Sequence, residues 1–357
     1  MTQLNRYFSE GKRIFFSSWK NRLFPKKYFG SAEDICKLVV ESCWNGRFFQ
    51  TSSTNFSQFW TRDFGWCANS LVKLGYEKQV QQTLRYALNN FQANDKITTT
   101  ITPKGEPFDF PTAAVDSLPW LIHGIRVSKL PYHSYKNFLN NEILKYQKMF
   151  VDSKGLVKPL HFSSIKDFAV RKSSCYDNSM VGMLSADLKK LKLINPFKED
   201  YGPIIKAHFW NGNYFFDDLD KQEYVAGDAN IFPFLTGVIK DPEMLESCIK
   251  AIEKEELDRP FPLKYTSSRK NIKFIWQEKL LRDYESNSIW THMGLLYLRL
   301  LKEVNKDKAE EFKKVYKELI EANHNFFEVF TADGKPYKTA FYHSDSGILW
   351  AANYLTL

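Results

Sequence analysis

The 357-residue chain lacks the short motifs that usually identify metal-dependent or nucleophile-dependent enzymes. It contains no HExxH and no GxSxG, so neither a zinc protease nor a serine hydrolase is indicated. Its cysteines are odd in number and form no CxxC pair, which argues against a disulfide framework and a zinc site. They are Cys36, Cys43, Cys67, Cys175 and Cys248. We therefore expect no metal, no cofactor and a reducing, cytoplasmic setting.

Long apolar runs are also absent. No stretch reaches the ~20 residues that a membrane-spanning helix needs, and none near the N-terminus has the length of a secretory signal. Hydrophobic residues make up 43% of the chain and aromatic residues 16%. This composition is typical of a soluble globular protein with many flat side chains, on which sugar rings or bases can stack.

The net charge of +9 is concentrated at the N-terminus. Residues 1–30 hold seven basic side chains and one acidic side chain, and we treat this stretch as a basic N-terminal arm. Because aromatic residues alternate with its charges, one interpretation is a weak contact with an anionic membrane surface. The interpretation we favour is an arm packed on its own domain. Acids and bases are interleaved beyond residue 30, so no nucleic-acid partner is predicted; the oligomeric state stays open.

Apolar residues recur with a helical period of 3.6 along most of the chain. This periodicity predicts almost no strand and twelve helices, near residues 33–45, 64–75, 77–93, 116–129, 132–150, 176–190, 195–208, 228–239, 241–254, 287–304, 307–324 and 344–356. The helices follow one another in pairs, which is typical of an all-α protein built from helical hairpins.

Every second predicted helix opens with a short polar residue before an apolar run, as in WTRDFGW and HSDSGILW. The polar positions recur at intervals of 51 to 61 residues, at Asp63, Asp116, Asp177, Asp228, Asn287 and Asp345. Taken singly, such a residue is most simply a helix N-cap, and we expect capping at Asp177 and Asp345. Taken together, six helix N-termini on one face indicate a closed ring of six hairpins. We predict a single (α/α)6 toroid over residues 31–357 with the site at one mouth.

The character of the segments agrees with such a ring. Inner helices should be apolar on nearly every side, as NIFPFLTGVI is, and outer helices should be amphipathic, as KDKAEEFKKVYKELIEANH is. Glycines in the inner segments would let the helices approach closely around a narrow axis. These glycines are Gly124, Gly182, Gly237, Gly294 and Gly347.

Two carboxylates stand apart from simple caps. Asp116 lies in the aromatic stretch FDFPTAAVDSLPW, and Glu328 lies in NFFEVF, in the loop before the last inner helix. Cleavage of a glycosidic bond needs a proton donor on the leaving oxygen and a second carboxylate that activates water or attacks the sugar. A helix N-terminus favours the charged form of an acid, whereas burial against aromatic rings disfavours it. The residues alone therefore leave open which carboxylate is the acid.

At these motifs residues 55–355 resemble the (α/α)6-barrel glycoside hydrolases, the alkaline and neutral invertases most closely. Glucoamylases and the glucosidase domain of glycogen-debranching enzymes are further relatives. TRDF at 61–64 is similar to the Arg-Asp-Phe segment that opens an early inner helix of the invertases, and AAVDSLPW is similar to their Val-Asp-Ser stretch. NFFEVFTADGKPY is similar to their glutamate turn, although Phe326 and Phe327 replace its Trp-Pro, so the sugar stays open.

The resemblance implies hydrolysis of a small saccharide or glycoside, of terminal glucosyl type, with inversion of the anomeric centre. It implies that Asp116 is the general acid and Glu328 the general base, and that Arg62 and Asp63 hold sugar hydroxyls. Further predicted substrate contacts are the aromatic faces of Trp60, Trp66 and Trp120 and the rim carboxylates Asp177 and Asp228.

Two other classes of function stay open. A carbohydrate-binding protein on the same scaffold would need no turnover, but the presence of both Asp116 and Glu328 argues against it. A sugar epimerase would rely on histidines at the mouth. A phosphorylase would need a cationic phosphate pocket near the second carboxylate, for which Lys335 and Lys338 are candidates.

Overall fold

The computed structural model describes residues 3–270 and 272–357, so the first two residues of the predicted basic arm lie outside the described residues. Within these ranges the chain forms thirteen α-helices. They are α1 Gln3–Leu23, α2 Ala32–Cys43, α3 Thr61–Lys73, α4 Glu77–Ala93, α5 Ser117–Val127, α6 Lys136–Phe150, α7 Cys175–Leu191, α8 Tyr201–Phe209, α9 Gly227–Leu235, α10 Pro242–Lys254, α11 Thr291–Val304, α12 Lys306–Asn323 and α13 Ala351–Tyr354.

Helices α3, α5, α7, α9, α11 and α13 form a closed inner ring. Each contacts the next in this order, and α13 contacts α3. The outer helices pack around them: α4 on α3 and α5, α8 on α7, α10 on α9 and α11, α12 on α11, and α2 on α12 and α13. The predicted all-α toroid of six hairpins is confirmed, and α1 is an additional helix.

The burial of the two rings follows their sequences. The outer helix α12 buries Ala309, Phe312, Tyr316 and Ile320, a spacing of three or four residues that forms one stripe. The inner helix α7 instead buries residues on nearly every side, including polar Asn178 and Ser179.

Glycine permits close approach at some, but not all, of the predicted positions. A Cβ atom at Gly294 would overlap the Tyr316 hydroxyl and the Pro262 carbonyl, and one at Gly182 would lie 2.7 Å from Val238. Gly237 differs from the prediction, because it has open space around it and a φ of +70° just after the end of α9. Its role is to end a helix rather than to admit a neighbour.

In the described residues, five two-residue strands lie at one mouth of the ring. They are β1 Phe59–Trp60, β2 Thr100–Ile101, β3 Pro107–Phe108, β4 Ile289–Trp290 and β5 Val329–Phe330. The pairs β1–β2, β2–β3 and β4–β5 are antiparallel. Because β1 ends directly before α3 and β4 directly before α11, Trp60 and Trp290 occupy the same place at the openings of two inner helices.

Several predicted helix starts are wrong. Helix α11 begins at Thr291 rather than 287 because Ile289–Trp290 pairs with β5. Helix α8 begins at Tyr201 rather than 195, and the Asp200 side chain caps it. The last inner segment is helical only over Ala351–Tyr354 rather than over 344–356.

The two predicted N-caps are also wrong. Ser174, not Asp177, caps α7, and its hydroxyl accepts a hydrogen bond from the Asp177 amide. Asp345 lies six residues before α13, which begins at Ala351, so it does not cap that helix. Its carboxylate instead accepts hydrogen bonds from the amides of Asn55 and Phe56 on a distant loop. These contacts tie the segment before α13 to the segment before α3.

Helix α1 lies across the same mouth. Arg13 donates to the Asn55 carbonyl at 3.2 Å, Ser17 to the Thr54 carbonyl at 3.0 Å, and Ser18 to the His343 carbonyl at 3.2 Å. The basic arm is therefore a helix that joins two loops of the ring. Among the described helices, α1 included, none combines the length and the apolar character needed to cross a bilayer.

Candidate active site

A cavity of about 210 Å³ lies at the mouth where the inner helices begin. Its charged lining consists of Arg62, Asp63, Asp167, Glu285 and Glu328. Aromatic side chains supply most of the remaining wall, among them Trp60, Trp66, Tyr284, Trp290, Tyr342 and Trp350. A cavity that combines a few polar groups with aromatic walls is the usual form of a small-molecule site.

A larger groove of about 970 Å³ lies elsewhere, between the segments from α7 to α10. Its wall is rich in lysines, such as Lys189, Lys198 and Lys240, and it opens widely to solvent. It holds neither the buried carboxylates nor the tryptophans of the smaller cavity. We therefore place the candidate active site in the smaller cavity, since chemistry rather than size decides the assignment.

Glu328 lies on the cavity wall and is 3% exposed. Tyr284 donates a hydrogen bond to its Oε1 at 2.7 Å, and Tyr342 and the Asp345 amide donate to its Oε2. Burial raises the pKa of Glu328 to about 8, and the Asp345 carboxylate acts in the same direction, while the hydrogen bonds oppose the rise. Burial therefore favours the protonated form of Glu328 well above the pH at which a free glutamate ionises.

Asp116 lies outside this cavity wall, contrary to the expectation that it faces the mouth. It is fully buried, its Oδ2 accepts from Arg62 Nε at 2.6 Å, and the Tyr176 hydroxyl donates to it at 2.9 Å. Burial raises the pKa of Asp116, while the Arg62 charge opposes the rise. Arg62 itself lines the cavity, so Asp116 is linked to the cavity through this guanidinium.

Asp167, which sequence reasoning missed, lies on the cavity wall. Its side chain is 20% exposed, and its Oδ1 lies 3.3 Å from Arg62 Nη2. Glu285 fixes the backbone here, because its two oxygens accept from the amides of Asp167, Phe168 and Ala169 at 2.7 to 3.0 Å. Burial and the neighbouring Asp167 raise the pKa of Glu285.

The predicted residues Arg62 and Asp63 both line the cavity. Burial raises the pKa of Asp63 to about 7, and the Arg62 charge opposes this rise. Burial lowers the pKa of Arg62, but Asp116 and Asp167 outweigh it, so the guanidinium stays charged. The first turn of α3 therefore presents a cation and a carboxyl group side by side.

The floor of the cavity carries polar atoms without a protein partner. His292 stacks on Trp66 with ring centroids 4.0 Å apart and lies 4.7 Å from Trp350. Within residues 3–270 and 272–357, no acceptor bonds the indole nitrogens of Trp60, Trp66 and Trp350, and neither ring nitrogen of His292 has a partner. Burial holds the pKa of His292 well below its usual value, so the ring is neutral. Buried polar atoms of this kind are normally hydrogen-bonded, so these nitrogens can bond a polar group that enters the cavity.

Three other predicted contacts do not line the cavity. Trp120 packs against Gly65, where a Cβ would lie 2.5 Å from it, and donates to the Tyr176 hydroxyl. Asp228 is fully buried between Lys166 and Arg171, at 2.9 and 2.8 Å. Asp177 is 7% exposed in the first turn of α7. These residues support the walls and do not form them.

The candidate phosphate ligands also lie away from the cavity lining. Lys335 is paired with Asp333 at 2.9 Å, and its side chain is 79% exposed. Lys338 is exposed as well. Of the described residues in the cavity wall, Arg62 is the single lysine or arginine.

The structure thus brings Trp60, Arg62, Asp63, Trp66 and Glu328 together, as predicted. Sequence reasoning missed Asp167, Glu285 and the tyrosines around Glu328. A signal for some missed aromatic residues was present, because four inner-helix openings carry a tryptophan: WTRDFGW, AAVDSLPW, ESNSIW and HSDSGILW. Asp167 had no such signal, since its place depends on a contact with Glu285, 118 residues further along the chain.

No protein-family model matches the chain, and no curated protein matches it either. Solved structures do match. A rhamnosidase from Klebsiella oxytoca with rhamnose bound has a TM-score of 0.64 at 11% identity, covering 91% of this chain and 62% of that chain. A bacterial glucoamylase complexed with acarbose has a TM-score of 0.65 at 14% identity, covering 91% and 54%. GH63 mannosylglycerate hydrolase from Thermus thermophilus has a TM-score of 0.59 at 11% identity, covering 91% and 100%.

These structural neighbours are all glycoside hydrolases of the (α/α)6 type. The likeness to this group of folds that the sequence motifs indicated is confirmed. This chain spans less than two thirds of the rhamnosidase and of the glucoamylase. Identities this low show the fold alone, because one fold hosts many activities. The closer likeness to invertases stays a prediction.

Proposed function

We propose that this protein hydrolyses the glycosidic bond of a small saccharide or glycoside, with Glu328 and Asp167 as its two catalytic carboxylates. The observation that carries the proposal is that both carboxylates line one aromatic cavity, in loops before two inner helices that are not neighbours in the ring. Glycoside hydrolysis needs two carboxyl groups with space for the sugar, and in inverting enzymes a water, between them.

The surroundings of the two carboxylates suggest their roles. Glu328 is the more buried, and burial raises its pKa to about 8 although two tyrosine hydroxyls stabilise its ionised form, so it can act as a base as it ionises at neutral to alkaline pH. We assign it as the general base that activates water, as the sequence resemblance also implies. Asp167 is the more exposed, so it lies nearer the opening through which the leaving group departs. We assign it as the general acid.

Asp116, the acid implied by the sequence resemblance, has a different role in this proposal. Its ion pair with Arg62 at 2.6 Å holds the guanidinium in place beside the cavity. Asp116 is therefore a positioning residue, and Arg62 with Asp63 binds sugar hydroxyls. In this proposal the general acid is Asp167, whose carboxyl group lines the cavity, rather than Asp116.

The size and chemistry of the cavity suggest a single sugar ring in the bound part of the substrate. Its volume of about 210 Å³ lies below the ~300–1,000 Å³ typical of pockets for drug-sized ligands. Trp60 and Trp66 offer stacking faces, and the free indole nitrogens offer donors for hydroxyls. We propose cleavage of a terminal residue, with inversion.

A panel of disaccharides and aryl glycosides, followed by proton NMR, tests the proposal. We expect release of one monosaccharide, first as the anomer opposite to that of the substrate, without added phosphate. Glu328→Gln and Asp167→Asn should each lower turnover by about 10²–10⁴-fold. The exposed residues of α12 supply matched controls, Glu318→Gln and Asp307→Asn, which should keep full activity.

The leaving group separates the two catalytic roles. A glycosyl fluoride of the released sugar needs no protonation, so it should restore turnover in Asp167→Asn and leave Glu328→Gln inactive. Phosphate-dependent turnover would instead identify a phosphorylase. Binding without turnover across the panel would identify a carbohydrate-binding protein, and full activity in Glu328→Gln would refute the assignment.

A further inference from the structure

Helix α1 carries its large apolar side chains on the face that points away from the ring. Phe8 is 68% exposed, Phe15 36%, Phe16 59%, Trp19 44% and Leu23 59%. At 3.6 residues per turn these positions, i, i+7, i+8, i+11 and i+15, fall on one stripe. We call these five residues the outer stripe. A surface helix normally turns such a stripe toward the core, so the orientation of α1 is inverted.

The opposite face of α1 explains why the stripe is free. That face is held to the ring by polar contacts, including Asn21 to the Ser346 hydroxyl at 2.9 Å and Ser18 to the His343 carbonyl. Tyr7 adds a stacking contact with Phe110, with ring centroids 4.8 Å apart. The helix is therefore anchored without the outer stripe, which contributes little to the core.

Basic side chains surround the outer stripe. Lys12 lies within its arc, and Lys20 and Arg22 flank it, all exposed. The one acidic residue in this part of the sequence, Glu10, turns inward, where it accepts from Gln58 at 2.6 Å and pairs with Arg13 at 2.9 Å. The outward surface thus joins aromatic rings to positive charge with no facing carboxylate on α1.

We propose that the outer stripe of α1 docks on an anionic lipid surface. Aromatic and aliphatic side chains of a helix lying in the membrane plane bury at the boundary between headgroups and acyl chains, while lysines and arginines bind anionic headgroups. Charge complementarity selects this partner, because a second copy of the chain would bring two positive faces together.

Docking in this way would set the orientation of the cavity. Gly11 and Ile14 of α1, outside the outer stripe, line the cavity that holds Glu328. A helix with its side chains is about 10–12 Å across, so the cavity would open within about one helix diameter of the lipid surface. This inference uses the position of the cavity and holds whatever reaction occurs there.

Sedimentation of the full-length protein with lipid vesicles tests the proposal. We expect it to bind phosphatidylcholine vesicles that contain phosphatidylglycerol, to bind those without it much more weakly, and to dissociate as salt is raised. The double variant Phe16→Ser, Trp19→Ser should weaken vesicle binding by about tenfold or more, because it removes two of the buried rings. Trp276→Ser removes a tryptophan that is 66% exposed in a short 3-10 helix, and it should bind as the parent does.

A charge reversal supplies the second arm. Lys12→Glu with Lys20→Glu should weaken binding to the anionic vesicles, whereas Lys314→Glu, an exposed lysine of α12, should have a smaller effect. Unchanged thermal unfolding would show that each variant folds. Equal binding to both vesicle types, or none to either, would overturn the proposal. If light scattering showed that the parent is a dimer and that the Phe16→Ser, Trp19→Ser variant is a monomer, the outer stripe would instead bind a second copy of the chain.

Discussion

The hydroxyl of Tyr284 donates a hydrogen bond to Oε1 of Glu328 at 2.7 Å, inside a cavity walled by tryptophan and tyrosine rings. Tyr284 comes from the loop before α11 and Glu328 from the loop after α12. The pair therefore joins two hairpins of the ring. The pKa of Glu328 depends on this contact between the two loops.

Tyr284→Phe should move the pH dependence of turnover. The hydroxyl favours the ionised form of Glu328, whose pKa is about 8, so its loss should raise that pKa further, by on the order of one unit. If Glu328 is the base, the rising limb of kcat/KM moves to higher pH, and activity at neutral pH falls. Rates measured across pH for both proteins check this.

Tyr135→Phe is the matched control, since it removes a tyrosine hydroxyl that bonds Asn89 at 2.7 Å away from the cavity. Its pH profile should coincide with that of the parent. A falling limb that moves upward in Tyr284→Phe, with more activity at alkaline pH, would show that Glu328 donates the proton instead of accepting it.

Glu328→Gln should also change the pH dependence of stability. The pKa of Glu328 rises from an ordinary 4.5 to about 8 on folding, so the folded state holds a proton that the unfolded state has lost between these values. Its contribution to the free energy of unfolding is fully present below pH ~4.5 and is lost as pH rises toward 8. Urea unfolding should therefore show the parent losing stability relative to the glutamine variant over this range, by at most a few kcal/mol.

Glu318→Gln, an exposed glutamate of α12, controls for the loss of a carboxylate as such. Its stability should follow that of the parent at every pH. Parallel stability curves for the parent and Glu328→Gln would mean that burial does not hold the proton on this carboxyl group.

Asp116→Asn should damage the site through Arg62. Without the Asp116 carboxylate, the buried Arg62 guanidinium loses one of its two charged partners. Breaking a buried ion pair in this way costs about 3–5 kcal/mol of folding stability. We expect a raised KM, because Arg62 loses its position, and no rescue by a glycosyl fluoride. Asp109→Asn is the comparison, since its partner Lys96 is half-exposed and its loss should cost far less.

A fall in kcat alone for Asp116→Asn, with KM unchanged and activity restored by the fluoride, would contradict the positioning role. That result would return the general acid to Asp116, where the sequence resemblance put it.

Gly294→Ala should destabilise the ring. A Cβ at this position overlaps the Tyr316 hydroxyl and the Pro262 carbonyl, and such overpacking costs about 1–3 kcal/mol. Gly11→Ala is the opposite case, a helical glycine of α1 with nothing within 4 Å of the added carbon. It should raise stability slightly, because alanine favours the helix. Equal stability of the two variants in urea would show that α11 and α12 can separate without cost.

Much of the fold could be predicted because its signals are local. The period of 3.6 residues marked the helices, and the regular spacing of Asp63, Asp116 and Asp177 marked the inner ones. The boundaries that failed, as at Thr291, depend on pairing with a strand 40 residues away. Helix α1 was not among the twelve predicted spans, although its apolar residues recur with a helical period.

The sequence by itself determined the hairpin repeat, the toroid and the aromatic residues beside Glu328, since these follow from helical periods, their recurrence along the chain and sequence neighbours. Only the tertiary structure decided which carboxylates reach the cavity. Asp116 lies beneath Arg62, and Asp167 reaches the wall because Glu285 holds its backbone. The physical reason is that the exposure of a side chain at the mouth depends on how loops distant in the sequence pack together. The periodicity of apolar residues within one segment contains no information about that packing.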